Sequence, residues 1–188
     1  RLRETLQREG IDASHVLEDA SVSSGIATIV IDGEGDNSII VVSGANGHVG
    51  PADVEQAADT IRSADLLMLQ LEVPLDAVLR AAQIAHDAGV RVMLNPAPAR
   101  ELPDELLQLV DVITPNETET QILTGLAIDD DDAAERAAQA LLARGVGAAV
   151  LTLGARGALL AEGSQVQRVP GYRVTAAEDE AQETLARA

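Results

Sequence analysis

The sequence Leu109-Val110-Asp111-Val112-Ile113-Thr114-Pro115-Asn116-Glu117-Thr118-Glu119 joins a short apolar run to the start of a helical pattern. The apolar run, residues 109–113, predicts a buried strand. Asn116 and Glu119 have the spacing of a helix N-cap residue and its third-position partner in a capping box. The segment therefore predicts a strand-to-helix junction, which is where α/β enzymes hold phosphates and metal ions.

The same order of elements repeats on both sides of this junction. Further apolar runs lie at 66–71, 90–94 and 148–153, and helical patterns lie at 51–63, 75–88, 116–123 and 133–144. Strands that alternate with helices predict right-handed crossovers and a parallel sheet. We therefore predict a three-layer α/β fold with helices on both faces of the sheet.

Two hairpins and a short helix complete the prediction. Runs rich in β-branched residues at 24–31 and 38–42 flank a loop that contains glycine, which is typical of an antiparallel hairpin. Residues 158–161 and 165–169 predict a second hairpin, and residues 3–9 a helix. The acidic run Asp129 to Asp132 precedes a helical pattern, where carboxylates favour the positive end of the helix dipole, and we assign it no function.

Composition excludes several classes of protein. The 188 residues suffice for one well-buried core, and the absence of Cys excludes disulfides and thiolate chemistry. A formal charge of −18 argues against a nucleic-acid or anionic-membrane partner. No apolar stretch approaches the roughly 20 residues of a membrane span. The N-terminal residues do not resemble a signal peptide, and we predict a cytoplasmic protein.

The basic residues limit how a nucleotide could be bound. All 13 are Arg, so the chain has neither a Walker A motif nor a Schiff-base lysine. Backbone N–H groups and a few Arg would have to hold the phosphates. Tyr172 is the only aromatic residue, so a bound base or sugar would lie against aliphatic side chains.

Polar or small residues follow each predicted parallel strand. In an open parallel sheet, ligands bind outside the carboxyl ends of the strands. The four residues concerned should therefore line one edge of the sheet and favour a binding site there: Glu72, Asn95, Asn116 and Gly154.

Each of these residues also has a purely structural interpretation. Asn116 and Glu119 could simply cap a helix, although a helix N-terminus that needs a cap is also an anion site. Glu72 could be an ordinary exposed carboxylate, and Asn95 before Pro96 could close a turn. The glycines Gly154 and Gly157 could merely turn the chain into the next strand.

Four motifs in this order resemble the ribokinase family of sugar kinases, over about residues 2–174. They are Gln70-Leu71-Glu72 with Pro74, Leu94-Asn95-Pro96-Ala97-Pro98-Ala99, Thr114-Pro115-Asn116-Glu117-Thr118-Glu119 and Leu151-Thr152-Leu153-Gly154-Ala155-Arg156-Gly157. The resemblance implies a ribokinase-like fold, small-molecule sugar and nucleotide ligands, and ATP-dependent phosphorylation of D-ribose to D-ribose 5-phosphate. The implied cofactors are ATP and Mg²⁺, and a complete family member could also use a monovalent cation.

The resemblance also implies roles for particular residues. Glu72 would bind sugar hydroxyls, and Asn116 and Glu119 would help to place magnesium and phosphate. Thr152, Gly154 and Gly157 would meet the nucleotide phosphates. No role is transferred to Asn95.

The hairpin at 24–42 would belong to a β lid that closes over the sugar and forms a homodimer contact. The implied organisation is 1–20 as the start of the α/β domain, 21–43 as the β lid element, and 44–188 as the α/β core with a helical tail.

The chain departs from this family in two specific places. It has no Gly-Gly-Lys-Gly segment, and no Gly-Ala-Gly-Asp motif with the catalytic base follows residue 174. We identify no catalytic residue and expect a truncated or inactive version of such a kinase. The alternative is a non-catalytic α/β module that binds a nucleotide, a sugar or a partner. A dinucleotide-binding oxidoreductase fits less well, because the glycines at 33 and 35 lie between two strands and do not open a helix.

Overall fold

The computed structural model describes residues 2–31 and 37–172. Their main feature is a six-stranded sheet with the strands in sequence order. The first four strands pair in parallel, and the last two continue the sheet as an antiparallel hairpin. They are β3 (Leu66–Leu69), β4 (Arg91–Leu94), β5 (Val112–Ile113), β6 (Ala148–Thr152), β7 (Ala158–Glu162) and β8 (Gln165–Val169). The predicted α/β class is confirmed, with a mixed rather than purely parallel sheet.

The helices agree with the predicted patterns to within a few residues. They are α1 (Leu2–Arg8), α2 (Pro51–Gln56), α3 (Ala58–Arg62), α4 (Leu75–Asp87), α5 (Asp104–Leu107), α6 (Glu117–Thr124) and α7 (Asp131–Ala143). Two differences concern detail: the predicted helix at 51–63 is divided at Ala57, and α5 was not predicted. A helix of four residues is too short to show a helical period in the sequence.

The core lies on one face of the sheet. Strands β3 to β6 advance in one direction, so right-handed crossovers place α4 to α7 on the same side. The side chains that point to this side are fully buried, among them Val92, Leu94, Ile113, Leu151 and Leu159. Alternate residues point to the other side, where Leu66 is 40% and Met68 is 71% exposed. The predicted helical cover of both faces is therefore seen on one face only in the part of the chain that the structure describes.

The predicted first hairpin forms a separate two-stranded sheet of β1 (Ile26–Ile31) and β2 (Asn37–Val42). Its register runs from Ile26 opposite Val42 to Ile31 opposite Asn37. Every β1 side chain is exposed, so the hairpin stands outside the core. The glycine-containing loop and the predicted helical tail at 177–188 lie outside the described residues.

The two segments that connect this hairpin to the core cross closely. Gly44 has φ +52°, and a Cβ there would lie 2.4 Å from the carbonyl oxygen of Ser23, so only glycine fits. Beyond the crossing, Nδ1 of His48 lies 2.7 Å from Oδ2 of Asp19. A hydrogen bond from the Ser21 hydroxyl, together with His48 and the Ser21 N–H, lowers the pKa of Asp19 to about 2. Asp19 and His48 thus join the two ends of the hairpin segment.

None of the described helices is long and apolar enough to cross a membrane.

Candidate functional site

The carboxyl ends of β3 to β6 lie at one edge of the sheet, as the sequence predicts. Adjacent strand ends are joined by backbone bonds: Asn95 N donates to Leu69 O, and Leu71 N donates to Ala97 O, each at 2.9 Å. Glu72 is exposed at this edge and Asn95 is half-buried. Glu72 and Asn95 therefore follow neighbouring strands of one sheet.

Asn116 and Glu119 form the predicted capping box at the start of α6. Glu119 N donates to Asn116 Oδ1 at 2.8 Å, and Asn116 N donates to Glu119 Oε2 at 2.8 Å. Asn116 Nδ2 also donates to Glu119 Oε1 at 3.0 Å. Glu119 is only 8% exposed, so its carboxylate is buried against the side chain that caps the helix. The cap fixes both side chains in one geometry.

Backbone contacts connect this helix start to the end of β6. Asn116, beyond the end of β5, and Thr152, the last residue of β6, form a parallel β-bridge. Within it, Thr152 N donates to Pro115 O at 2.9 Å. Because the bridge is made by the backbone, the exposed Thr152 side chain remains available at the edge. Two predicted nucleotide-site residues from distant parts of the sequence are thus immediate neighbours.

A short 3-10 turn, Gly154–Arg156, follows β6. Gly154 has φ +54°, and nothing lies within 4 Å of the position a Cβ would occupy. Gly157 has φ +93°, and a Cβ there would lie 2.0 Å from Val169 O. Leu153 N donates to Gly157 O at 2.8 Å and closes the turn. Close packing against the chain after β8 thus explains Gly157, whereas Gly154 faces open space; their nucleotide roles stay predictions.

Arg156 is a member of this site that the sequence interpretation did not single out. Its Nη2 donates to Glu117, the first residue of α6, and to Ile128 O at 3.2 Å. Its Nη1 donates to Asp131 Oδ1 at 3.3 Å. The Glu117 carboxylate, with Asp131 adding to it, raises the pKa of the Arg156 guanidinium. The position of Arg156 between two glycines of a recognised motif was a usable signal, but its partners are far away in the sequence.

A second arginine extends the same charge network away from the edge. Arg168, on β8, donates to Asp131 Oδ2 at 3.0 Å and to Glu135 at 2.7 Å. The acidic run also begins α7 as predicted, since Asp130 Oδ1 accepts a hydrogen bond from Ala133 N at 2.7 Å. Two guanidiniums thus hold the start of α7 beside the Gly154–Arg156 turn.

Other features of the described residues lie away from this edge. A cavity of about 600 Å³ at the base of the hairpin is lined by His15, Asp19 and His48, among others, and by none of the predicted site residues. Within residues 2–31 and 37–172, no group of His and carboxylate side chains is arranged to hold a metal ion unaided.

Comparisons with known proteins agree with this fold. A family profile described as "pfkB family carbohydrate kinase" matches residues 1–179. The Haemophilus influenzae ribokinase is 41% identical over 175 residues, which cover 93% of this chain and 57% of that protein. A Salmonella typhi deoxyribokinase is 38% identical over 172 residues, covering 91% of this chain and 56% of that protein.

A solved structure shows the same architecture. The Arabidopsis thaliana ribokinase complexed with ribose and ATP superposes with a TM-score of 0.70 at 29% identity. The superposition covers 89% of this chain and 55% of the Arabidopsis protein. The chain thus spans little more than half the length of each of these three relatives.

Proposed function

Since this chain belongs to the pfkB family of carbohydrate kinases, we propose that its sheet edge binds ATP and a pentose for phosphoryl transfer. The observation that carries the proposal is the β-bridge between Asn116 and Thr152. It joins the N-terminus of α6 to the segment before the Gly154 turn, so the two elements proposed to bind phosphates meet at one place.

The geometry supports a phosphate site at this junction. The N-terminus of the eight-residue helix α6 presents backbone N–H groups toward the edge. Gly154 leaves open space where any other residue would place a Cβ, so a phosphate can approach the backbone. Thr152 offers an exposed hydroxyl beside both elements. Asn116, Thr152 and Gly154 are therefore the proposed nucleotide-phosphate contacts.

The donor set also fits magnesium. Mg²⁺ commonly keeps several waters and binds through one or two carboxylates together with substrate phosphates. Each Glu119 carboxylate oxygen accepts one bond from Asn116 and can accept another. Glu119 and Asn116 would therefore hold the ion through its waters. When bound, the ion would neutralise part of the phosphate charge.

Glu72 is the proposed sugar ligand. Its exposed carboxylate lies at the end of β3, on the same edge as the phosphate site, and can accept hydrogen bonds from vicinal hydroxyls. D-Ribose, phosphorylated at its 5-hydroxyl, is the proposed substrate. The deoxyribokinase relative makes 2-deoxyribose the alternative to test. In this proposal the exposed β1–β2 hairpin covers the sugar and pairs with a second copy of the chain.

A non-catalytic binding module is the second candidate. The observation that favours it is the sequence of residues 175–188, which does not match the Gly-Ala-Gly-Asp motif. The first candidate requires nucleotide and sugar binding, with turnover only where a catalytic base completes the site. The second requires binding of a nucleotide, a sugar or another partner, and no turnover.

Calorimetric titration tests whether the chain binds a nucleotide and a sugar at all. The chain is titrated with ADP and Mg²⁺, and then with ribose and 2-deoxyribose, and ribose-dependent ADP release is measured in parallel. Saturable binding of both ligand types supports the proposed site. Absence of any nucleotide or sugar binding would contradict the first candidate and restrict the second to a module that binds another partner.

A further inference from the structure

Arg156 joins three separate segments of the chain beside the proposed phosphate site. It lies in the turn after β6, and its guanidinium donates to Glu117 on α6, to Ile128 O in the following loop and to Asp131 on α7. An ordinary surface ion pair joins two side chains and contributes little. A planar fork that binds two carboxylates and one carbonyl fixes the geometry of all three segments.

The carboxylates around Arg156 argue against a direct contact between its guanidinium and a phosphate. Its guanidinium is engaged by Glu117 and Asp131, and Arg168 shares Asp131 and binds Glu135. Arg156 therefore has no uncompensated charge to offer a phosphate directly. The acid it contacts most closely, Glu117, follows Asn116 and lies in the first turn of α6.

Glu117 would oppose nucleotide binding if it were unpaired. A carboxylate in the first turn of α6 would repel phosphate groups held at the same helix end. The guanidinium of Arg156 neutralises the negative charge of Glu117 through their direct contact. In the same geometry it ties the Gly154–Arg156 turn to α6, alongside the backbone bridge between Asn116 and Thr152.

We propose that Arg156 is a positioning residue for the nucleotide, which neutralises Glu117 and holds the Gly154–Arg156 turn against the start of α6. The inference rests on the proposed nucleotide function but is separable from it. Arg156 acts through Glu117 and through the turn, and not as a phosphate ligand.

Four variants of the 188-residue chain test the two parts. Arg156→Gln removes the charge, and Glu117→Gln removes the charge it cancels. The double variant Arg156→Gln/Glu117→Gln tests whether removal of the Glu117 charge restores the ADP affinity lost in Arg156→Gln. Arg168→Gln is the matched control, because Arg168 belongs to the same network but contacts neither Glu117 nor the turn.

The first measurement needs no ligand. Amide hydrogen exchange is followed at Leu153, Arg156 and Gly157, whose N–H groups close the turn. Arg156→Gln should speed exchange there by roughly tenfold, since the turn loses its anchor to α6. Arg168→Gln should leave these amides unchanged. Equal exchange in wild type and Arg156→Gln would overturn the positioning role.

The second measurement is ADP affinity by calorimetry. Arg156→Gln should weaken binding by roughly three- to thirtyfold, because Glu117 is then an uncompensated charge near the phosphates. The double variant should recover most of that loss. A double variant no better than Arg156→Gln would overturn the neutralising role.

The wild-type titration separates this inference from the proposed function. If the wild type binds no ADP, the proposed nucleotide function fails, and with it the neutralising role. The exchange data then still decide whether Arg156 orders the turn. If the wild type binds ADP and Arg156→Gln changes neither exchange nor affinity, the function stands and the inference about Arg156 is wrong.

Discussion

Asn116 and Glu119 exchange three hydrogen bonds, in which the backbone N–H of each residue donates to the side chain of the other and Asn116 Nδ2 adds a third. The alternative interpretations of this pair, a helix cap or a ligand site, are therefore compatible in one structure. The cap holds an amide and a buried carboxylate at the edge of the sheet before any ligand arrives. Preorganisation of this kind lowers the cost of binding.

Asn116→Ala should lower the free energy of unfolding by about 1 kcal/mol, the usual cost of losing an N-cap. It should also weaken binding of magnesium–ADP, because the phosphate site loses its amide. Asp130→Ala is the matched control, since Asp130 caps α7 in the same way but lies outside the proposed site. Urea unfolding and calorimetry measure the two effects. If both variants lose similar stability and the ADP affinity is unchanged, Asn116 caps α6 and does not bind the nucleotide.

Glycine variants in the turn should separate a packing role from a ligand role. Gly157→Ala should destabilise the fold by about 3 kcal/mol or more, because its Cβ would lie 2.0 Å from Val169 O. Gly154→Ala should cost only about 1–2 kcal/mol, the penalty of a left-handed backbone without a steric clash. Although Gly154→Ala is the less destabilising variant, it should lower the affinity of the folded protein for ADP. Its Cβ would project into the open space at the proposed phosphate site. Thermal unfolding and ADP titration of both variants check this, and unchanged ADP affinity in Gly154→Ala would remove Gly154 from the site.

The Asp19–His48 contact should make stability depend on pH in acid. The pKa of Asp19 is lowered to about 2 in the folded protein from its ordinary value of 3.8. A carboxyl group whose pKa is lowered by folding stabilises the fold fully above its ordinary pKa and loses that effect as the pH falls toward its folded value. Asp19→Asn should therefore remove part of the fall in stability between about pH 4 and 2, measured by urea unfolding. An identical pH profile in the variant would contradict this linkage.

Much of the fold could be predicted from the sequence, because strands, helices and caps depend on local patterns. The capping box of Asn116 and Glu119 is a spacing of three residues, and the order of strands and helices indicates a parallel sheet. The exposure of Leu66 and Met68 could not be predicted in this way. It depends on the direction in which the strands are added, which determines whether helices reach the second face.

The site was predictable only in part, for the same physical reason. The residues that follow strands could be predicted to share an edge, because parallel strands end together. The bridge between Asn116 and Thr152 and the bond from Arg156 to Glu117 join residues 36 and 39 positions apart. Tertiary packing, which no local pattern encodes, sets both contacts. Gly157 also has a packing reason, its close approach to Val169, that the motif did not indicate, and its role in nucleotide binding stays a prediction.

The chain of 188 residues should show no ribose-dependent ADP release above background. Phosphoryl transfer needs a positioned base and charge stabilisation at the reacting phosphate. Loss of one oxyanion donor costs roughly 10²–10³ in rate, and loss of a general base roughly 10²–10⁴. The sequence carries no Gly-Ala-Gly-Asp segment to supply them. A coupled assay that gives turnover within about a hundredfold of the 1–100 s⁻¹ typical of kinases would show that this expectation is wrong.

Glu72→Gln tests the sugar assignment, since it keeps the shape of the side chain and removes its charge. A carboxylate that accepts hydrogen bonds from sugar hydroxyls predicts a loss of about 1.5–3 kcal/mol, or roughly ten- to a hundredfold in ribose affinity. Calorimetric titration with ribose measures it, and Asp76→Asn, at an exposed carboxylate in the first turn of α4, is the control. Equal ribose affinity in wild type and Glu72→Gln would eliminate Glu72 as a sugar ligand.

We infer that the nucleotide binds at the junction where β6 ends and α6 begins. Backbone chemical shifts on addition of ADP and Mg²⁺ test this most directly. We expect saturable shifts concentrated at residues 116–119 and 152–157. Residues 15–20, which line the cavity at the base of the hairpin, should stay unchanged. Saturable shifts confined to that cavity, or no shifts at 116–119 and 152–157 at saturating ADP, would contradict the account.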